Sequence, residues 1–173
     1  MENLIFENRY QTTRELLEIY TKEILAKRFQ KQFWILVIIF ALLTIPGIVT
    51  QDYIIAVLAA AGFVVTLALT VFFPRLMFRQ MEKIQHKIHN GKKPNTVVEF
   101  GDSIHLQEGK CEIALEYPQI TEIYFLSQIY VLMFEKSNGI MLKNDAFVKG
   151  TAEDFRIFIT EHCPQARIFK RGN

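Results

Sequence analysis

A long uncharged block near the N-terminal end constrains this chain more than any other feature. Between Lys31 and Arg75 lie 43 residues, of which only Asp52 is charged. The average composition, 50% hydrophobic and 22% charged over 173 residues, would suit an ordinary soluble domain. Because the apolar residues are concentrated in one block, the pattern argues against a simple globular enzyme. Only the 99 residues after the block are enough to bury a core of their own.

Two uncharged runs inside the block, residues 33–50 and 53–74, predict a transmembrane helical hairpin over 32–74. As α-helices they would reach roughly 27 and 33 Å, which matches the ~30 Å apolar core of a bilayer. A hairpin buried inside a soluble protein is the alternative. That alternative is disfavoured because buried helices are rarely apolar on every face, and the remaining chain is too small to enclose two such helices.

The distribution of basic residues predicts the orientation of the hairpin. Lys and Arg are frequent before the first run and after the second, and the connection Thr50-Gln51-Asp52 has none. By the positive-inside rule, both termini are expected in the cytoplasm of a multi-pass membrane protein. Four aromatic residues near the ends of the spans are predicted to anchor at the level of the headgroups. They are Trp34, Tyr53, Phe72 and Phe73.

The two spans contain no Asp, Glu, Lys, Arg or His. Ion pathways and substrate sites within membranes usually contain such residues, so transport or channel activity is disfavoured. Thr66 and Thr70 share a helix face, and Ala56 with Ala60 forms a pair of small residues at the same spacing. Both pairs suit close packing of the two helices. A pore lining is the alternative interpretation of the threonines.

Residues 1–31 predict a short strand followed by an amphipathic helix. The strand is expected at Leu4–Phe6 and needs a sheet to join. Thr12 with Glu15 fits a capping box, which predicts a helix from about Thr13 to Phe29. The apolar stripe of this helix would lie either on the lipid headgroups or on the cytoplasmic domain.

Residues 75–93 predict a basic helix beside the membrane. This segment has six Lys or Arg and one acid, a balance of +5, and Asn90-Gly91 predicts its end. Such a segment attracts anionic lipid headgroups. The expected lipid contacts are Arg75, Arg79, Lys83, Lys87, Lys92 and Lys93. The alternative is that these charges only fix the topology. His86 and His89 lie three residues apart, but no third ligand is near them in sequence, so no metal site is predicted.

Residues 94–173 predict a cytoplasmic α+β domain. Six short runs of alternating apolar residues separated by turn signals predict an antiparallel meander. The strands are expected at 96–100, 103–107, 110–117, 120–125, 129–135 and 140–142. Asn138-Gly139 is the strongest hairpin signal among the turns. Thr151-Ala-Glu-Asp predicts the start of a C-terminal helix over 151–162 that closes one end of the sheet.

The segment "VVEFGDSIHLQEGKCEIALEYPQITEIYFLSQIYVLMFEKSNGIMLKNDAF" and the elements around it resemble the bacterial YcxB-like family. The resemblance covers essentially the whole chain. Tyr117 stands where the family often has Trp, and Leu142 stands where it usually has Pro. The resemblance implies a bacterial cell-membrane protein whose cytoplasmic part is a small pleckstrin-homology-like (PH-like) barrel, with its first strand taken from the segment before the spans. The family has no assigned activity, so the resemblance bears on fold and location more than on function.

The sequence carries no recognisable catalytic motif. It lacks a glycine-rich phosphate loop, G-x-S-x-G, H-E-x-x-H and C-x-x-C, so no catalytic, cofactor-binding or metal-ligating residues are assigned. Cys111 is expected to fill a small core space, and Cys163 is expected in the tail, neither in a disulfide. The net charge of −3 over residues 94–173 disfavours nucleic acid as a partner.

These observations predict an integral membrane protein, not an enzyme, that presents a PH-like interaction or assembly module at the inner face of the membrane. Its partner would be an unidentified protein or a second copy of the chain, and the expected docking surfaces are sheet edges or the groove beside helix 151–162. Sensing of anionic lipid headgroups by residues 75–93 is the alternative function. A membrane enzyme or a channel would need buried polar groups that the spans do not have.

Overall fold

The computed structural model describes residues 4–50, 52–91, 93–135 and 138–170. It divides into two compact units. Leu17–Gln85 form a helical unit, and the described residues up to Leu16 and from His86 onward form a β unit. The helices are α1 (Arg14–Tyr20), α2 (Lys27–Val49), α3 (Tyr53–Ile88) and α4 (Ala152–His162), and a π-helical turn (Thr21–Ala26) joins α1 to α2.

Two helices are long and apolar enough to cross a membrane, Arg14–Val49 and Tyr53–Ile88. Only 11% and 17% of the residues in their most apolar windows are buried. The core helices of a soluble protein are mostly buried, so these values favour helices whose apolar surface faces lipid. The two predicted spans therefore coincide with candidate membrane-spanning helices.

The helical unit is an antiparallel hairpin held by small residues and aromatic rings. Near its closed end, Gly47 lies directly against the backbone of Ala56, and Gly62 lies against the Phe40 ring. Near its open end, the Phe73 ring lies between those of Phe29 and Phe33, with centroids 5.6 and 5.1 Å away. Close approach through small residues is the usual way for helices to pack in lipid.

The small residues of α3 behave partly as predicted. Thr66 and Thr70 are buried, and their hydroxyls donate to the carbonyls of Gly62 and Thr66 at 2.8 Å, so their polar groups are satisfied within the helix. Ala56 lies in the helix contact. The prediction for Ala60 is wrong, because Ala60 is exposed and Ala59 is the buried alanine.

Substitution of Gly47 should loosen the hairpin. A Cβ at this position would lie 2.7 Å from the Ala56 nitrogen, and backbone atoms cannot move aside as a flexible side chain can. We expect Gly47→Val to cost about 1–3 kcal/mol, the usual range for overpacking. Thermal unfolding of the full chain in detergent measures the effect, with Ala60→Val at an exposed α3 position as the control. Equal unfolding temperatures for the two variants would contradict the prediction.

The β unit contains two sheets among the described residues. The first has the order β4-β3-β2-β1-β8, and the second has the order β7-β6-β5-β9. The strands are β1 (Phe6–Gln11), β2 (Asn95–Phe100), β3 (Ile104–Glu108), β4 (Cys111–Leu115), β5 (Glu122–Phe125), β6 (Ile129–Met133), β7 (Gly139–Lys143), β8 (Phe147–Lys149) and β9 (Arg167–Lys170). All pairings are antiparallel except that of β5 with β9, which is parallel.

One hydrophobic core joins both sheets and α4. The alternation of apolar residues correctly predicts that Ile104 of β3 and Leu132 of β6 face this core, but it is wrong for β7, where Ile140 and Leu142 are buried and the expected Met141 is not. Phe155 and Ile159 of α4 are fully buried against them, while Ile157 on the same helix is exposed. Thr151 caps α4, because its hydroxyl accepts from the Asp154 amide at 3.1 Å. The C-terminal helix and its cap are therefore confirmed.

β1 belongs to the β unit although it precedes both long helices. It pairs with β2 from Phe6↔Phe100 to Gln11↔Asn95 and also with β8. The fully buried Asn8 extends the hydrogen bonding to the second sheet. Its amide donates to the Lys143 carbonyl at 2.9 Å and accepts from the Lys143 amide at 3.1 Å. The Tyr10 hydroxyl also donates to the Met141 carbonyl at 2.8 Å, so two side chains of β1 bond to β7 in place of a strand pair.

Several predicted boundaries need correction. The N-terminal strand begins at Phe6, where the predicted Leu4–Phe6 strand ends. The cap of α1 is Thr13, whose hydroxyl accepts from the Leu16 amide, whereas the Thr12 hydroxyl bonds instead to Thr96 and Glu108 of the sheet. A 3₁₀ turn (Tyr117–Gln119) separates β4 from β5, so the six predicted strands divide between two sheets. β8 and β9 were not predicted.

Candidate functional site

A cleft of the β unit with a volume of about 880 Å³ lies beside the first turn of α4. Three segments supply most of its walls. They are α4 with Ala152, Glu153 and Arg156, the turn after β5 with Leu126 and Ser127, and the segment after β7 with Asn144, Asp145 and Phe147. Phe125, Tyr130 and Lys170 also line it. The volume is within the usual range of ligand-binding clefts.

Aromatic rings and a guanidinium group line the cleft. The Phe125 and Tyr130 rings pack edge to face with centroids 4.9 Å apart. The Arg156 guanidinium lies over the Phe125 ring, 5.1 Å from its centroid, and this contact fixes its position on the α4 wall. Burial raises the pKa of the Tyr130 phenol, and the charge of Glu153 acts in the same direction. Tyr130 is thus a neutral hydrogen-bonding group at the cleft near neutral pH.

Asn144 holds the two turns of the cleft together. Its side-chain amide donates to the carbonyls of Leu126 and Ser127 at 3.1 Å, and its backbone amide donates to the Gln128 carbonyl at 3.0 Å. Because the side chain bonds to backbone groups, the shape of this wall depends little on the identity of the turn residues. The cleft is consequently a preformed surface, which lowers the entropy lost on binding.

A second cleft of about 510 Å³ continues along α4 to β9. It shares Tyr130, Glu153, Arg156 and Lys170 with the first. Ile157 of α4 and Ile168 of β9 give it an apolar part, and both are exposed. The two clefts together form a groove beside α4 with aromatic, apolar and oppositely charged groups. Such a mixture is typical of surfaces that bind peptides or proteins.

The chain matches no protein-family model, no curated protein and no solved structure. Among the described residues, no three His, Cys, Asp or Glu side chains are grouped so as to hold a metal ion. The groove itself contains three carboxylates and two cations, but neither His nor Cys.

The residues predicted to contact the membrane lie on the long helices and the segment after them. Trp34, Tyr53 and Phe72 are exposed, whereas Phe73 packs inside the hairpin against Phe29 and Phe33. The described cations of the basic segment are all exposed. They are Arg75, Arg79, Lys83, Lys87 and Lys93. Lys92 lies outside the described residues. Anchoring and lipid contact by these side chains stay predictions.

The predicted environments of the two cysteines are wrong. Cys111 is exposed at the edge strand β4, and Cys163 is 0% exposed in the hydrophobic core. The Cys163 thiol donates to the Tyr117 carbonyl at 3.4 Å. The adjacent His162 instead contacts the ring of Phe158 and bonds to its carbonyl. Cys163 is buried because the chain turns back after α4 to form β9, which the sequence pattern did not indicate.

Alkaline pH should destabilise the β unit through Cys163. Burial raises the pKa of this thiol from its ordinary value of 9.0 to about 11. Above pH 9 the unfolded chain loses the thiol proton that the folded chain retains, so stability falls as pH rises toward 11. We expect unfolding temperatures of the full chain to fall more steeply between pH 9 and 11 than those of Cys163→Ala. Parallel curves for the two proteins would contradict this role.

Three polar residues that position the β unit and its groove, Asn8, Asn144 and Arg156, were not predicted. Asn8 had a signal in the sequence, because it alternates with Phe6 and Tyr10 in a strand. A polar residue at such a position usually has a buried partner. Arg156 and Asn144 carried no comparable signal, because each acquires its role only when distant segments meet.

Proposed function

We propose that this chain is a two-span membrane protein whose β unit is a docking module held at the inner face of the membrane. The module would bind an extended or loop segment of another protein, or of a second copy, in the groove beside α4. Its two sheets, one core and C-terminal helix support the further proposal of a PH-like fold within the YcxB-like family.

The pairing of β1 with β2 is the observation that supports a tethered module. β1 ends before the first long apolar helix, and β2 begins after the second. Gln11 and Asn95 are register partners in one sheet. If both helices cross the bilayer, the segments that flank them lie on the same side of it, and the basic residues of those segments favour the cytoplasmic side.

Attachment of the β unit to the membrane through the helices after β1 and before β2 would favour binding of a partner in the groove. A module that cannot leave the membrane meets its partner at a raised effective concentration and in a restricted range of orientations. The preformed wall at Asn144 and the ring-bound guanidinium of Arg156 support binding, not catalysis, because they fix a shape without supplying a nucleophile or a general base.

Site-specific photocrosslinking in intact cells tests the proposal. A photoreactive residue at Ser127 lies in the groove, and one at the exposed Gln107 of β3, which lines a separate cleft, is the matched control. We expect one recurrent protein, either a partner or the chain itself, to be captured from Ser127 and not from Gln107. Equal capture patterns from the two positions would contradict a docking role for the groove.

Headgroup sensing is a second candidate function, supported by a row of cations on α3. Arg75, Arg79 and Lys83 are exposed and spaced by four residues, so they share one side of the helix. Lys87 continues the same spacing in the sequence. Four cations in such a row would attract anionic lipid by ~1 kcal/mol each when they lie near the bilayer surface.

Neutralising two of these cations measures their effect. We expect Arg79→Gln with Lys83→Gln to weaken binding of a short-chain anionic lipid to the detergent-solubilised protein roughly 25-fold, which corresponds to ~1 kcal/mol per charge. Lys110→Gln with Lys149→Gln removes the same charge from exposed positions of the β unit. Identical losses in both double variants would show a non-specific charge effect and reject the sensor.

A further inference from the structure

The outer edge of β5 is covered by a strand from the end of the chain. β9 follows α4 and pairs with β5 in parallel, from Glu122↔Arg167 to Phe125↔Lys170. Two side-chain contacts fix this register. The Arg167 guanidinium bonds to the Glu122 carboxylate at 2.6 Å, and the Phe169 ring stacks on Tyr124 with centroids 4.7 Å apart and planes 12° from parallel.

The attachment of β9 is weak compared with that of the other strands of its sheet. It has four residues, and every one of them is exposed. By contrast, all five residues of β6 are buried. Neither Ile168 nor Phe169 belongs to the hydrophobic core. Few buried apolar contacts and solvent-exposed hydrogen bonds are features of segments that open locally.

The residues of β5 that β9 covers are, in contrast, held in place by burial and by a side-chain hydrogen bond. Glu122 is buried and also accepts a hydrogen bond from the Tyr124 hydroxyl at 2.9 Å, which orients both groups toward the edge. Ile123 and Phe125 alternate with them and point into the core. Displacement of β9 would therefore leave β5 in place and uncover a strand edge with a carboxylate and an aromatic ring at alternate positions.

We propose that the edge of β5 is a docking site for an extended segment of a partner protein, with Arg opposite Glu122 and an aromatic residue opposite Tyr124, and that β9 occupies this edge until such a segment displaces it. The inference rests on the proposed docking function and places an extended segment of the partner at the β5 edge, where it would replace β9 together with the Ile168 and Lys170 side chains that β9 gives to the groove. Main-chain hydrogen bonds to the sheet edge supply affinity, and the alternate side chains supply specificity. Charge complementarity with Glu122 favours a basic segment.

A peptide with the sequence QARIFKRG, taken from residues 165–172, is the probe. Binding is measured by fluorescence anisotropy to the full chain in nanodiscs and to the chain truncated after Ala166. We expect the truncated protein to bind at least tenfold more tightly, because its own β9 no longer competes. The peptide QAEIFKRG, with Glu in place of Arg, should bind the truncated protein at least tenfold more weakly.

The variant Glu122→Gln in the truncated protein tests the specificity. It retains the size of the side chain and should bind both peptides equally. If truncation prevents folding, the full-length double variant Arg167→Ser with Phe169→Ser weakens β9 without shortening the chain, and it should bind QARIFKRG more tightly than the unmodified chain does.

Three results would overturn the proposal. The first is that a folded protein with β9 removed or weakened does not bind QARIFKRG. The second is that the truncated protein binds QARIFKRG and QAEIFKRG equally. The third is that the full and truncated chains bind QARIFKRG equally. Recurrent capture from Ser127 together with any of these results would leave the docking function standing and exclude only the β5 edge.

Discussion

Phe155→Ala should strongly destabilise the β unit while the helical hairpin remains intact. The Phe155 ring is fully buried and lies 4.6 to 5.4 Å, centroid to centroid, from the rings of Phe100, Phe147 and Phe6. Those rings belong to β2, β8 and β1, so one side chain connects α4 to three neighbouring strands. Removing a buried phenylalanine costs about 3–5 kcal/mol, out of the roughly 5–15 kcal/mol that holds a domain folded.

Labelling of Cys163 measures this loss directly. In a Cys111→Ser background, the buried thiol of Cys163 reacts only when the β unit opens. We expect Phe155→Ala to raise the labelling rate of the full chain in detergent by two or more orders of magnitude. Ile157→Ala is the matched control, because Ile157 is 61% exposed on the same helix. Similar labelling rates in the two variants would show that Phe155 does not organise the core.

Local patterns predicted the elements of this protein more reliably than their connections. The two apolar helices, the cap at Thr151 and the strands around Asn138-Gly139 each depend on neighbouring residues, so their signals are present in short windows of sequence. The pairing of β1 with β2 joins positions 11 and 95 across the whole hairpin. No pattern in the sequence alone specifies such a pairing, and only the resemblance to a known family suggested it.

The errors of the sequence analysis share the same cause. β9 is short and its residues face solvent, so it lacks the alternation that marks a half-buried strand. Cys163 was expected in an exposed tail because the return of the chain to β5 was not foreseen. The groove beside α4 was predicted as a location, but its shape depends on Asn144 and Arg156, whose partners lie 16 to 31 residues away in sequence.

The β unit should fold without the helical hairpin, provided that β1 is retained. Gln11 and Asn95 are register partners, and the Thr12 amide donates to the Pro94 carbonyl at 3.1 Å. A turn of about four residues, within the range found in β-hairpins, can therefore join Thr12 to Pro94 in place of residues 13–93. We expect this shortened protein to be soluble without detergent and to unfold cooperatively on heating.

The matched control is a fragment of residues 94–173, which lacks both the hairpin and β1. In the full chain β1 lies between β2 and β8, and Asn8 supplies the bonds to Lys143 of the other sheet. Without β1, the first sheet is divided and the Lys143 backbone groups lose their partner, so we expect the fragment to remain unfolded.

Circular dichroism and amide exchange distinguish the two proteins. If the fragment folds as stably as the shortened protein, β1 is an accessory strand, and the sheet does not depend on the segment before the spans. If only the shortened protein folds, the first sheet cannot form without β1. The helical hairpin then lies between β1 and β2 in the sequence because the sheet needs strands from both sides of it.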